Sequence, residues 1–430
     1  MRTSIIKQIE NPTQFKQKLL TWAQQFREVV FLDSNDYPQQ YSSYDCLLAV
    51  DAFTSIKTGY HNAFEDLKQY QQVTKDWLFG YLSYDLKNDV EVLKSDNLDG
   101  LDFPDLFFYQ PKKLVLLKGN QLEMQYLNMC DDEVEEDFAE ITLQIADCRL
   151  QVAKIQIKQR ISRGKYLEKV STMLEHIHRG DIYEANFCME FFAENAVINP
   201  LEKYFKLNAI SKSPQAVFFK NNHQFLLCAS PERYMKKEGD VIISQPIKGT
   251  AKRFKDPIED EESKNLLASD AKERAENIMV TDLVRNDLSR TAQKGSVKVE
   301  ELCGIYTFEQ VHQMISTITS KLDNQYSEID VLKTTFPMGS MTGTPKVSVL
   351  KIIEELEESK RGLYSGAVGY FTPNGDFDFN VVIRSILYNQ EKKYASFSVG
   401  SAITSQSIAE NEYEECLLKA KAMRQVLTAT

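Results

Sequence analysis

Apolar residues recur with helical spacing in only a few stretches of this chain; elsewhere they alternate or run together as strands do. From Ser162 they fall at Tyr166, Leu167, Val170, Met173, Leu174 and Ile177, one face of a helix that Ser162 can cap and Gly180 can stop. The run from Asp260 to Arg290 reads as one or two helices. Thr344 and Pro345 predict a cap followed by proline at the first helical position. Val347, Leu350, Ile353 and Leu356 would face inward there, with Gly362 as the stop. A last helix is expected over Ile408 to Leu427.

The strand signals are denser. QFLLCASPERYMKKEGDVIIS reads as two strands joined by a turn at Lys237 to Asp240, and Pro246 ends the second. PIKGT then puts Lys248 in a strand-ending turn, where Gly249 lets backbone pass close to whatever lies beside the lysine. After Gly362 comes a meander: GLYSGAVGYF, a turn at Pro373 to Gly375, DFDFNVVIRSILY, a turn, and YASFSVGSAIT. Residues 1 to about 150 mix short helices with strands such as Trp77 to Leu86, and the polar, acidic Lys94 to Asp105 reads as a surface loop. No linker divides the chain, and strand and helix runs interleave without βαβ regularity. The fold class predicted is α+β, built on antiparallel sheets.

Composition narrows the functions. The chain has 430 residues, enough for a large core, and a net charge of −11, which argues against nucleic acid as a partner. An anionic substrate would need locally placed cations or a metal. Seven scattered cysteines without a CxxC pair fit buried thiols in a reducing compartment, not a disulfide frame or zinc site. No apolar run has signal-peptide or membrane-spanning length, so a cytoplasmic protein with no membrane partner is expected.

Several residues could carry chemistry. A nucleophilic Lys248 must be neutral, which requires burial or a nearby cation; most lysines in turns are simply exposed. Glu273 and Glu276 lie three apart on one expected helix, and Glu412 and Glu415 on another, with Lys419 a turn further along the same face. Four carboxylates from two helices suit a hard cation such as Mg2+, although each pair alone is more often a solvated face. His312 lies in a strand-like stretch where a core histidine is the commoner explanation, and Glu232 falls near Lys248 if the strands form a hairpin. Arg384 alternates within VVIRSIL and, if inward, needs an anion. GSMTGTPK, residues 339–346, fails the phosphate-loop pattern but can present backbone N–H groups to a carboxylate.

Taken together, SRGKYLEKV, GDIYEANF, SPERY, PIKGTAKR, RAENIMVTDLVRNDLSR, FEQVHQMIST, FPMGSMTGTPK, GAVGYF, NVVIRSI and ENEYEECLLKAKA resemble the chorismate-utilising enzymes, in family order from about residue 155 to 425. That family includes anthranilate, aminodeoxychorismate, isochorismate and salicylate synthases. The resemblance implies an anthranilate synthase component I-like α+β unit with two large antiparallel sheets packed together. Residues 1–150 would form its N-terminal part and 155–425 its chorismate-binding region. It implies Mg2+ held by Glu276, Glu412 and Glu415, with Glu273 close by. Tyr364 and Arg384, with backbone N–H groups at Gly400, Ser401 and Ala402, would hold the enolpyruvyl carboxylate. Ser340 and Thr342 would line the ring, Lys419 would join the substrate side, and His312 would stand near the departing hydroxyl.

Lys248 points within the family. Anthranilate and isochorismate synthases resemble one another in carrying alanine there, whereas aminodeoxychorismate synthases carry lysine. The resemblance implies a covalent lysine route from chorismate and ammonia to 4-amino-4-deoxychorismate, for p-aminobenzoate and folate, with Glu232 as acid and base and the ammonia coming from a separate glutamine amidotransferase. Anthranilate synthase component I and a non-catalytic chorismate-binding relative are the alternatives. Glu184 departs from the pattern, since amine-using members commonly carry glutamine and the water-using branch lysine. Ser401 and Ala402 replace a glycine-rich stretch. FLDSND resembles the tryptophan-binding segment of anthranilate synthases only loosely, so tryptophan inhibition is not expected.

Overall fold

The computed structural model describes residues 1–37, 40–144, 155–309 and 311–428. Cys148, Gln310 and the expected boundary near residue 150 lie outside them. The helix Arg163–Arg179 forms as its local signals predict: the Ser162 side chain accepts from the Lys165 N–H, Gly180 sits at φ 87°, and Tyr166, Val170, Met173 and Ile177 are buried. Each such side chain is worth roughly 2 kcal/mol of burial, so packing rather than intrinsic propensity holds the helix.

The strands form antiparallel ladders that fork at one long strand, Leu106–Lys118. Along one edge it pairs with Cys46–Thr58; the other edge is shared between Leu78–Leu82 and Gln121–Leu127. From Cys46–Thr58 the first sheet runs through Glu28–Asp33, Gln215–Asn221, Gln224–Ser230, Ser385–Asn389 and Tyr394–Thr404 to Glu184–Ala193. From Leu78–Leu82 the second runs through Ala367–Phe371, Phe377–Asn380, Arg233–Glu238 and Val241–Gln245 to Val311–Lys321, which also pairs with Ile247–Lys252 and Lys298–Thr307. The two expected sheets are therefore present and hydrogen-bonded to each other through a shared strand. One core packs between them, with Phe79, Tyr81, Phe219, Leu226, Met235, Phe379 and Leu387 from both. A second core lies under the helices Pro12–Trp22, Arg163–Arg179, Pro200–Ser211 and Ala409–Thr428.

Four local expectations change. The stretch from Gln224 forms three strands, because the ladder breaks at Pro231 and Glu232; proline has no N–H to donate. DFDFNVVIRSILY likewise splits at Val381 to Arg384, its halves joining different sheets. Ile247–Lys252 is itself a strand, with a register shift between Ile247 and Thr250 where a turn was expected. The helix after Pro345 spans Lys346–Leu356, with Pro345 in the cap position and Glu357 at its end; Val347 is 40% exposed. The region Asp260 to Arg290 resolves as two helices, Pro257–Ser269 and Ala271–Ser289.

Candidate active site

Both ladder breaks are places where the chain crosses from one sheet to the other, and each carries a predicted site residue: Glu232 in the first, Arg384 in the second. The Val381 N–H donates to the Glu232 carbonyl at 3.0 Å, so the two crossings lie side by side. Arg384 takes φ 52°, a left-handed conformation that costs a non-glycine residue roughly 1 kcal/mol.

Lys248 reaches into this seam from its strand. Its ammonium donates to Glu184 Oε1 at 2.8 Å, and its side chain is 12% exposed. Asn277 fixes the backbone beside it, donating to the carbonyls of Lys248 and Met314, each at 3.0 Å. Gly249 sits at φ 100°, where a Cβ would lie 3.0 Å from Met314 Cβ and 3.2 Å from Glu273 Oε2. Burial pulls the Lys248 amine toward neutrality, but Glu184, Glu276 and Glu232 outweigh it and raise its pKa above the ordinary lysine value. The amine expected to be neutral is thus a cation in this arrangement, because carboxylates surround it.

Glu232 is buried and its pKa is pushed up to about 7 by desolvation, with the Ser340 hydroxyl, Lys248 and the Ile247 N–H favouring its ionised form. Glu232 and Ser340 also line one pocket, together with Pro246 and Val381. Thr342 is buried, its hydroxyl donating to its own loop at Met338 and Gly339.

The four paired glutamates come from Ala271–Ser289 and Ala409–Thr428 as predicted. Burial pushes Glu276 up to about 7, opposed by Lys248 and reinforced by Glu184 and Glu273. Burial also raises Glu273, with Asp270 and Glu415 adding to it. Glu415 is desolvated too, but Lys419 at 2.6 Å turns its shift downward. Glu412 is 3% exposed. These oxygen donors fit a hard cation in chemical type and in their surplus of negative charge, while among the described residues no three such groups converge into a closed ligand set.

Arg384 has Tyr364 and Glu415 as electrostatic neighbours; burial lowers the guanidinium and raises the Tyr364 phenol. Tyr364 also lies 4.0 Å from Cys188 Sγ. Gly400 and Ala402 turn their polar backbone away from the strand Glu184–Ala193: Lys419 donates to the Gly400 carbonyl at 2.8 Å and Ser407 to that of Ala402 at 3.4 Å. Their N–H groups share that open edge. Ser401 faces the other way, its hydroxyl 3.1 Å from the Tyr166 hydroxyl. His312 is 1% exposed, with Nδ1 3.0 Å from Thr307 Oγ1 and Nε2 3.1 Å from Asp260 Oδ1. Sequence reasoning missed the Glu184–Lys248 pair and Asn277; the unexpected acid in YEAN was the only local signal.

The sequence matches the chorismate binding enzyme family over residues 19–425. It is 34% identical over 353 residues to a Synechocystis protein named anthranilate synthase component I-like protein, covering 81% of this chain and 71% of that one. It is 29% identical over 388 residues to the Bacillus subtilis aminodeoxychorismate synthase component 1, covering 87% and 80%. The chain spans less than half the length of the Oryza sativa and Arabidopsis thaliana relatives it matches. Among solved structures, anthranilate synthase component I from Streptococcus pneumoniae superposes with a TM-score of 0.79 at 24% identity, over 90% of this chain and 93% of that one, a likeness of fold.

Proposed function

The chain belongs to the chorismate binding enzyme family, and on that premise we propose that it aminates chorismate to 4-amino-4-deoxychorismate, for p-aminobenzoate and folate synthesis. The observation that carries this reading is a lysine amine set among buried carboxyl groups, 2.8 Å from Glu184 and beside a Glu232 whose pKa is about 7. Once deprotonated, Lys248 Nζ attacks C2 of the ring. The ring double bond shifts and the C4–O bond breaks, with protonated Glu232 supplying the proton that lets the hydroxyl leave as water. Ammonia then attacks C4, the double bond shifts back, and the C2–N bond breaks, returning its electron pair to Lys248. Glu232, now a carboxylate, takes the proton of the incoming amine. A value near 7 suits a group that must give and take a proton in one cycle.

Glu184 is the nearest acceptor for the proton that Lys248 sheds. Arg384, Tyr364 and the N–H groups of Gly400 and Ala402 would grip the enolpyruvyl carboxylate, and Ser340 keeps Glu232 oriented. His312 has both nitrogens on Thr307 and Asp260, so we give it no proton-transfer step. Mg2+, held by Glu276, Glu412 and Glu415 with Glu273 close by, would bind the ring carboxylate and offset the charge that keeps Lys248 protonated. The ammonia is proposed to come from a glutamine amidotransferase on a separate chain.

Product analysis by mass spectrometry tests the reading. Chorismate, Mg2+ and ammonium salt should yield 4-amino-4-deoxychorismate, and Lys248→Ala should cut its formation roughly 100-fold or more. Undiminished amination by the variant ends the covalent route. Fluorescent anthranilate in its place would favour the anthranilate synthase reading, and no turnover would leave a chorismate-binding relative without catalysis.

A further inference from the structure

The strand Glu184–Ala193 is paired along one edge by Tyr394–Thr404; among the described residues its other edge has only Gly343–Thr344 at one end and Lys158–Gln159 at the other. Between them the open backbone is met by side chains. Arg361 Nη2 donates to the Asn186 carbonyl at 2.7 Å, and the Cys188 N–H donates to Glu357 Oε1 at 2.9 Å. Arg361 and Glu357 are themselves joined as a fork, Nε to Oε2 at 2.9 Å and Nη2 to Oε1 at 2.7 Å. The free arm of the fork, Nη1, donates to the Met341 carbonyl at 2.7 Å and lies 3.5 Å from Ser365 Oγ. The guanidinium stacks over Tyr84, 4.4 Å from the ring centroid, and only 4% of Arg361 is exposed.

The groups this pair holds lie close in sequence to site residues. Asn186 is two residues from Glu184, Met341 lies between Ser340 and Thr342, and Ser365 follows Tyr364. We propose that Arg361 and Glu357, which touch none of the reacting groups, are positioning residues that stand in for a missing strand and so keep Ser340 on Glu232 and Glu184 on Lys248. Stability alone gives no reason for them, since a well-packed apolar pair usually replaces a buried ion pair without loss. An apolar pair cannot bond two carbonyls and an N–H shared between a strand and a separate loop. Lysine cannot either, because it offers a point charge where arginine offers a planar fork.

The test rests on the chorismate reading only for its assay, the pH dependence of kcat/KM for chorismate consumption. Arg361→Lys should lower kcat/KM by about 10–100-fold, as loss of a supporting hydrogen-bond partner typically does. The limb set by Glu232 should move to higher pH, because a carboxylate deprived of the Ser340 hydrogen bond is harder to ionise. Ser340→Ala should move the same limb the same way, and the double variant no further. Circular dichroism corrects each rate for folded protein; if Arg361→Lys does not fold, Glu357→Asp, which keeps the charge but withdraws it by one methylene, carries the same expectation. Folded variants with an unmoved limb, or a double variant that adds the two shifts, overturn the proposal. Absence of wild-type turnover ends the proposed function instead, and the two failures are thereby told apart.

Discussion

Of the carboxylates around Lys248, Glu184 raises its pKa most, and it does so at hydrogen-bond distance inside the protein, where solvent screens little. The charge matters more than the bond: glutamine at residue 184 would still accept from the amine but would no longer favour the ammonium form. Glu184→Gln should therefore move the titration of Lys248 to lower pH. Labelling with an amine-reactive reagent across a pH series, with the modified peptides quantified by mass spectrometry, reads that midpoint directly and needs no turnover. An unmoved midpoint would mean that Glu276 and Glu232 alone hold the proton on Lys248. Lys419, bonded to Glu415 and to the Gly400 carbonyl, serves as the internal control.

At the scale of elements, the site exists because two strands change sheets, and Gly249 is where that arrangement has least room. A Cβ there would press on Met314 and Glu273 while holding φ at 100°. Gly249→Ala should cost about 1–3 kcal/mol, seen as a lower urea midpoint with unchanged slope, and should displace the adjacent Lys248. The local signals that the sequence carries were sufficient where an element is decided locally. Ser162, Gly180 and the spacing between them specify the helix Arg163–Arg179, and the spacing of Glu273, Glu276, Glu412 and Glu415 correctly put each pair on a helix. The sheet crossings were not legible, because apolar residues continue through Val381 to Ile383 and nothing local says which sheet the next residue joins. PIKGT was misread for a related reason: proline and glycine signal a turn, whereas here Pro246 precedes a strand that is bulged around Gly249 and whose partner lies about sixty residues away. The Glu184–Lys248 contact, spanning 64 residues, is equally invisible to spacing.

For the molecule as a whole, a net charge of −11 with carboxyl groups gathered in one seam means that folding works against ionisation. Glu276 shows it most directly, with a pKa of about 7 against an ordinary 4.5. A carboxyl raised in the folded state costs nothing below pH 4.5, where both states hold the proton. It costs progressively more as pH rises to 7, and the loss then levels off near 3 kcal/mol at most, at 1.36 kcal/mol per unit. Glutamine cannot ionise, so Glu276→Gln should leave stability nearly unchanged at pH 4 and raise it by about 1–3 kcal/mol at pH 8. Mg2+ at a hundred times its dissociation constant would stabilise the wild-type chain by about 2.7 kcal/mol at pH 8 and the variant by much less. Urea unfolding at the two pH values, with and without the ion, measures all four quantities. A difference between wild type and variant that does not change with pH would mean that Glu276 ionises as freely in the fold as outside it, and the seam would then have no surplus of charge for a cation to neutralise.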